Sequence, residues 1–222
     1  MNASPVSADE EARLAALQRY EILDSDPEQA LDEVVQLAAT ICGTPIALIS
    51  LVDSSRQWFK ARVGLTMMET PRDISFCAYA IQHDEIFVVT DALRDPRFAR
   101  NPLVLGEPHI RFYAGAPLTT PDGLKLGTLC VIDSRPRELD RIQRDALRAL
   151  ARQAMVHLEL RRHAHNLLTP LTSIRGSLGL LASGAVGELT PEGHELLLVA
   201  ERNSERLLSL IDEFLEFDRL KE

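Results

Sequence analysis

The sequence predicts an α+β domain, an antiparallel sheet with helices, joined by a long coiled-coil helix to an all-α helical hairpin. Three observations carry this expectation. Short apolar runs bounded by turn residues occupy the region from Ile46 to Asp133. From Asp140 onward the apolar spacing changes to alternating threes and fours. Near the carboxyl end, the stretch from Gly184 to Leu189 separates two segments of helical periodicity. A chain of 222 residues has room for two modest domains.

Composition narrows the function classes. A hydrophobic fraction of 45% with 26% charged residues is ordinary for a water-soluble globular protein. The formal net charge is −9, and Lys and Arg form no stripe, which argues against a nucleic-acid partner. No apolar run approaches the ~18 residues needed to span a bilayer. The start, Met1-Asn2-Ala3-Ser4-Pro5, lacks the basic-then-apolar form of a signal peptide, so no membrane and a cytoplasmic location are expected. Cys42, Cys77 and Cys130 are odd in number and widely spaced, giving neither a disulfide framework nor a CxxC metal site.

The elements follow in order. Within an amino-terminal segment spanning 1–18, Glu10 to Arg19 reads as an amphipathic helix with Leu14 and Leu17 on one side, and the chain turns at Tyr20 to Asp24. Pro27 to Cys42 is a second helix whose stripe is Leu31, Val34, Val35, Leu37, Ala38 and Ile41, closed by Gly43. The run Ile46 to Val52, the turn Asp53 to Arg56 and the stretch Gln57 to Arg62 make two strands with a tight connection. Tyr113 to Leu118 and Leu126 to Asp133 flank Pro121-Asp122-Gly123 and make a second hairpin.

Six segments then resemble the GAF sensor domain: Ser50-Leu51-Val52-Asp53, Gln57-Trp58-Phe59-Lys60, Ser75 to Ile81, Asp91 to Phe98, Arg111 to Leu118 and Gly127 to Asp133. The resemblance covers most of Leu17 to Leu150, and the domain is assigned to 19–138. It implies a six-stranded antiparallel sheet with helices on one face and a ligand pocket on the other. Neither the N-K-F-D-E set of cyclic-nucleotide GAF domains nor the cysteine-histidine pair of bilin-binding ones is present; Ala78 and Tyr79 follow Cys77. A pocket wall drawn from Phe76, Cys77, Tyr79, Arg111, Tyr113 and Cys130 would suit a small anionic ligand. The competing reading is that the aromatics fill the space and Arg111 pairs with an acid such as Asp91.

Two faces compete on the joining helix, assigned to 139–160. Ile142, Ala146, Ala149, Gln153, Val156 and Leu160 form the seam of a parallel coiled coil between two chains, with small residues and one polar residue in it. Alternatively Leu147, Leu150, Ala154 and Leu158 are the buried face, packed on the chain's own sensor domain.

The segment 161–222 holds the most informative motif. In His165-Asn166-Leu167-Leu168-Thr169-Pro170-Leu171-Thr172 a histidine is followed by a hydroxyl side chain and a proline inside a helical pattern. The proline removes a backbone hydrogen bond and crowds the Asn166 carbonyl, so a bend is expected. Leu178, Leu180 and Leu181 continue this arm. The second arm, starting at Thr190-Pro191-Glu192, carries Leu196, Val199, Leu207, Leu210, Phe214 and Phe217, interrupted by Asn203. The motif resembles the phosphoacceptor box H-E-L-R-T-P-L-T of bacterial two-component sensor histidine kinases, matching at His165, Leu167, Thr169, Pro170, Leu171 and Thr172 and departing at Asn166 and Leu168.

That resemblance implies a homodimer whose hairpins form a four-helix bundle. In it His165 is the nucleophile that takes a phosphoryl group, and a response-regulator receiver domain is the partner. Asn166 stands where an acid normally holds the imidazole tautomer, and Thr169 would orient water for phosphatase chemistry. ATP and magnesium would come only with an ATP-binding domain, whose signatures are absent between Met1 and Glu222; Gly184-Ala185-Val186-Gly187 lacks the Walker lysine or serine. The chain is thus expected to be a sensor and phosphotransfer portion, not active as a kinase alone. Two other functions compete: a non-catalytic dimeric scaffold that docks a response regulator, and a free methionine sulfoxide reductase using Cys77 and Cys130.

Overall fold

The computed structural model describes residues 9–185, 187 and 189–216, the last five as backbone only. Residues 1–8 of the amino-terminal segment, and Phe214 and Phe217 of the expected apolar stripe, therefore lie outside the described side chains. The chain divides into two compact units, Met1–Leu158 and Glu159–Glu222.

In the first unit, helices α1 (Glu10–Arg19) and α2 (Gln29–Cys42) precede strands β1 (Ile46–Val52), β2 (Arg56–Val63) and β3 (Glu69–Pro71). There follow helix α3 (Phe76–Ala80), strand β4 (Phe87–Val89), the turn-like helix α4 (Pro102–Leu105), and strands β5 (Phe112–Thr119) and β6 (Lys125–Asp133). The long helix α5 (Arg141–Ala182) comes next. The strands form one six-stranded sheet in the order β3-β2-β1-β6-β5-β4, with every pairing antiparallel.

Every residue of β1 is buried because the sheet is covered on both faces. Ala47, Ile49 and Leu51 face α1, α2 and the first turns of α5, while Ile46, Leu48 and Val52 face α3 and the segments around Phe98 and Val104. Burial of each such Leu or Ile contributes about 2 kcal/mol. Gly43 closes α2 in the left-handed conformation at φ 62°, as its position implied. The α2 stripe is rotated from the expected one. Leu31, Val34, Val35, Ala38, Ala39 and Cys42 are buried, whereas Leu37 and Ile41, a quarter turn or more round the helix, are exposed. In α1, Arg13 and not Leu14 takes the inward position beside Ala16 and Leu17.

The β1–β2 register shifts so that Ile49 pairs with Ala61 and Ser50 with Phe59. Lys60 is the extra residue of this bulge, which re-aims its side chain toward the start of α2.

The two faces proposed for the joining helix prove to be separate surfaces. Leu147, Ala154 and Leu158 are buried in the first unit's core with Ala151 and Met155, and Leu150 is packed against it. Ile142 (76% exposed), Val156 (51%) and Leu160 (47%) of the coiled-coil set remain accessible on the single chain. The buried face of the helix in the first unit is therefore the set packed on that unit's own core.

In the second unit α5 runs through Pro170 without a break in its helical assignment. Its partner α6 (Pro191–Glu216) starts at Thr190, whose hydroxyl caps the backbone N–H of Gly193 at 3.1 Å. Ala164, Leu197, Ser204 and Leu208 are buried, while Leu196, Val199, Leu207 and Leu210, the expected apolar face, are exposed. Among the described residues no helix is long and apolar enough to cross a membrane.

Candidate functional site

Two places hold the residues that the sequence singles out. The first is a cavity of about 20 Å³ on the sheet face opposite α2, lined among others by Leu48, Gln57, Phe59, Thr70, Phe76, Cys77 and Tyr113. That volume is enough for a single water-sized molecule. Phe76 stacks on Phe98 with ring centroids 4.1 Å apart, and Tyr79 meets Phe98 edge-on at 4.8 Å, so the aromatics largely fill the space.

Tyr79, Arg111 and Cys130 do not line this cavity. The Arg111 guanidinium instead donates through Nη1 to the carbonyls of Val104 (2.8 Å), Ile110 (3.0 Å) and His109 (3.2 Å). Among the described residues it pairs with no acid, and Asp91 meets Arg94 at 3.3 Å. A guanidinium that ties down a loop offers little to a small anion, so the expected anionic pocket is not assembled from these six residues.

Cys77 and Cys130 do come together, with their sulfurs 3.9 Å apart. Around Cys77 Sγ converge the hydroxyls of Tyr113 (3.2 Å) and Thr128 (3.1 Å), which donate to it. Burial works against a thiolate here, but the donors Cys130, Thr128, Tyr113 and Ser50 outweigh it and hold the Cys77 thiol below its ordinary value. Burial, then the hydrogen bond to Cys77, pushes Cys130 the other way.

The second place is the surface of α5 in the second unit. His165, Asn166 and Thr169 are all exposed. At 100° per residue, His165, Thr169 and Thr172 share one face. The opposite face, with Leu160, Ala164, Leu167, Leu171 and Ile174, joins Leu207 and Leu210 of α6 in an apolar groove of about 530 Å³. Thr172 Oγ1 donates back to the Leu168 carbonyl at 2.8 Å, inside the turn that Pro170 occupies. The groove leaves hydrophobic surface for burial while the histidine stays on the accessible side. Among the described residues no cluster of three or more His, Cys, Asp or Glu side chains is placed to hold a metal ion.

One feature of the first unit was not anticipated from the sequence. Lys60, with a side chain 0% exposed, pairs with Glu28 at 2.7 Å, and the other Glu28 oxygen lies 2.7 Å from His157 Nε2 on α5. The available signal was a lysine between Phe59 and Ala61 in an apolar strand, which requires a buried partner.

Comparison with known proteins agrees with this division. The GAF domain family model matches residues 26–158, and the His Kinase A (phospho-acceptor) domain model matches 158–222. The cyclic di-GMP phosphodiesterase PA2567 of Pseudomonas aeruginosa is 50% identical over 137 residues, 62% of this chain and 23% of that protein. The sensor histidine kinase GlrK of Escherichia coli K12 is 41% identical over 63 residues, 28% of this chain and 13% of that protein. The chain thus spans less than a quarter of the length of either relative. Among solved structures, the GAF domain of an Acinetobacter phosphoenolpyruvate-protein phosphotransferase aligns with a TM-score of 0.52 at 22% identity, covering 72% of this chain and 97% of that one. A free methionine-R-sulfoxide reductase from Neisseria meningitidis aligns at 0.50 and 21% identity, covering 74% and 99%, a likeness of fold alone. The chain belongs to the GAF domain family, and its GAF domain is followed by a histidine-kinase phospho-acceptor domain.

Proposed function

We propose that this chain is the sensor and phosphoacceptor portion of a cytoplasmic two-component histidine kinase. It acts as a homodimer in which His165 takes a phosphoryl group from ATP and passes it to an aspartate of a response-regulator receiver domain. The observation that carries this is the placement of His165 in a phospho-acceptor domain, exposed and on the helix face opposite an apolar groove. Burying that groove against a second copy would leave the imidazole outward on a four-helix bundle, where a bound nucleotide or a receiver domain can reach it. ATP and magnesium would be held by a separate ATP-binding domain. Within this chain, a ring nitrogen of His165 attacks phosphorus, and the Asn166 amide oxygen is able to accept a hydrogen bond from the other ring N–H without the charge an acid would supply. Thr169, one turn on, is the group able to position water against a phospho-aspartate.

The α5 helix begins in the core of the first unit and contains His165, so it supplies a covalent route for a packing change in the sensor to alter access to the histidine. A second reading rests on Asn166: with the acid replaced, the hairpin serves as a dimeric docking scaffold for a response regulator. Incubating the chain with a complementing ATP-binding domain and radiolabelled ATP, beside His165→Gln, separates the two. Acid-labile label on the wild type alone supports phosphotransfer, and no label on either supports the scaffold.

A further inference from the structure

Cys77 lies on α3 and Cys130 on β6, and nothing in the phosphotransfer reading uses them. Three features set this pair apart from buried cysteines that merely pack. The sulfurs approach to 3.9 Å, both side chains are at most 1% exposed, and the hydroxyls of Tyr113 and Thr128 donate to Cys77 Sγ. Ser50 Oγ, fully buried on the adjacent strand, has no hydrogen-bond partner by strict geometry among the described residues, yet helps to lower the Cys77 thiol. Cys77 also walls the cavity of about 20 Å³, together with Thr70, whose buried hydroxyl has no hydrogen-bond partner among the described residues. The space suits a solute little larger than water, and hydrogen peroxide is a two-electron oxidant of that size.

We propose that Cys77 and Cys130 form an oxidation site that takes hydrogen peroxide and closes to an intramolecular disulfide, with Cys77 as the attacking thiol and Cys130 as the resolving one. The roles follow from the donors. Hydrogen bonds from the Tyr113 and Thr128 hydroxyls stabilise the Cys77 thiolate, the reactive form, while burial keeps the proton on Cys130, whose sulfur lies in contact with that of Cys77 at 3.9 Å. The Cys77 thiolate attacks one peroxide oxygen: the S–O bond forms, the O–O bond breaks, and the departing hydroxide takes up the proton Cys77 released, leaving as water. Cys130 Sγ then attacks the sulfenic sulfur: the S–S bond forms, the S–O bond breaks, and hydroxide leaves with the Cys130 proton as a second water. Two thiols are oxidised and one peroxide is reduced, with no other reagent.

The sulfurs must close from 3.9 Å to about 2.05 Å, a movement that draws α3 onto β6. That strand ends at Asp133, eight residues before α5 begins. Cys42 is the internal control, since burial and the Asp140 charge push its thiol up to about 11 and no other cysteine adjoins it.

The test is peroxide treatment of the folded chain, followed by alkylation, intact mass measurement and peptide mapping. The expected result is a mass lower by two hydrogen atoms, a dithiothreitol-reversible cross-link between the Cys77 and Cys130 peptides, and loss of two of the three alkylatable thiols. Cys42→Ser retains this response. Cys130→Ser stops at sulfenic acid on Cys77, trapped as a dimedone adduct. The mapping on the wild type stands even if a variant fails to fold. An unchanged native mass, a cross-link that uses Cys42 or joins two chains, or a bond that appears only in urea would overturn the proposal.

Discussion

Substituting Glu28→Gln tests whether the buried ion group truly joins the sheet to α5. Glu28 holds Lys60 Nζ at 2.7 Å and lies 2.7 Å from His157 Nε2, and Lys60 is 0% exposed in its bulge. Removing one partner of a buried pair costs about 3–5 kcal/mol, because the remaining charge stays in a poorly solvating place. Glu28 keeps 17% of its side-chain surface in water, and Lys60 retains Ser25 Oγ at 2.8 Å and the Asp26 carbonyl as acceptors. The lower end of that range, about 3 kcal/mol, is therefore expected. For a unit of this size it lowers Tm by roughly 6–12 °C. The assay is urea unfolding followed by the fluorescence of Trp58, the only tryptophan, buried on the same strand as Lys60. Adding Lys60→Met to Glu28→Gln removes the stranded ammonium and should restore stability to within about 1 kcal/mol of the wild type. A single variant within about 1 kcal/mol of wild type, or a double variant no better than the single, would refute the reasoning.

Three further outcomes are expected. Burial alone would raise the Glu10 pKa, but hydrogen bonds from Arg13 and Arg72 outweigh it and hold the carboxyl at about 2, below its ordinary 4.5. A depressed folded pKa stabilises above the ordinary value and is lost as pH falls; with the carboxyl partly in water, on the order of 1–2 kcal/mol should disappear between about pH 4.5 and pH 2. Glu10→Gln should be less stable at pH 7 and flatter through that window, read by the same Trp58 titration. Gly127→Ala would set its Cβ 1.9 Å from the Ser50 carbonyl oxygen where β6 crosses β1, and should cost about 3 kcal/mol or more. Gly123→Ala, in open space at φ 86°, should cost only about 1 kcal/mol in the same denaturation experiment. Leu207→Glu places a charge in the apolar groove of the hairpin and should shift a dimer toward monomer, measured by light scattering after gel filtration; an unchanged dimer would count against pairing through that groove.

What the sequence conveyed depended on how local the physics was. The β1–β2 and β5–β6 hairpins were legible because their turns sit between apolar runs, and Gly43 marked the end of α2 by its own backbone. Strands β3 and β4 are three residues each and carry no periodicity to read. Both faces of α5 were visible as patterns, but which one meets the sheet depends on long-range packing against α2, and the structure buries Leu147, Ala154 and Leu158. Arg13 and Lys60 were hidden for a related reason. Charged residues read as solvent-facing until distant partners, the Val52 carbonyl for Arg13 and Glu28 for Lys60, are brought in by the fold. At the site, the His165 box was legible outright because it lies within one helix. The expected pocket was not, since the Arg111 side chain is claimed by three carbonyls of a neighbouring loop.

The measurement that bears most directly on phosphotransfer is phosphopeptide mapping after incubation with labelled ATP and a complementing ATP-binding domain. The account predicts a single acid-labile, base-stable phosphoryl group on His165, absent from His165→Gln. Label on another residue, or label that persists in the variant, would contradict it.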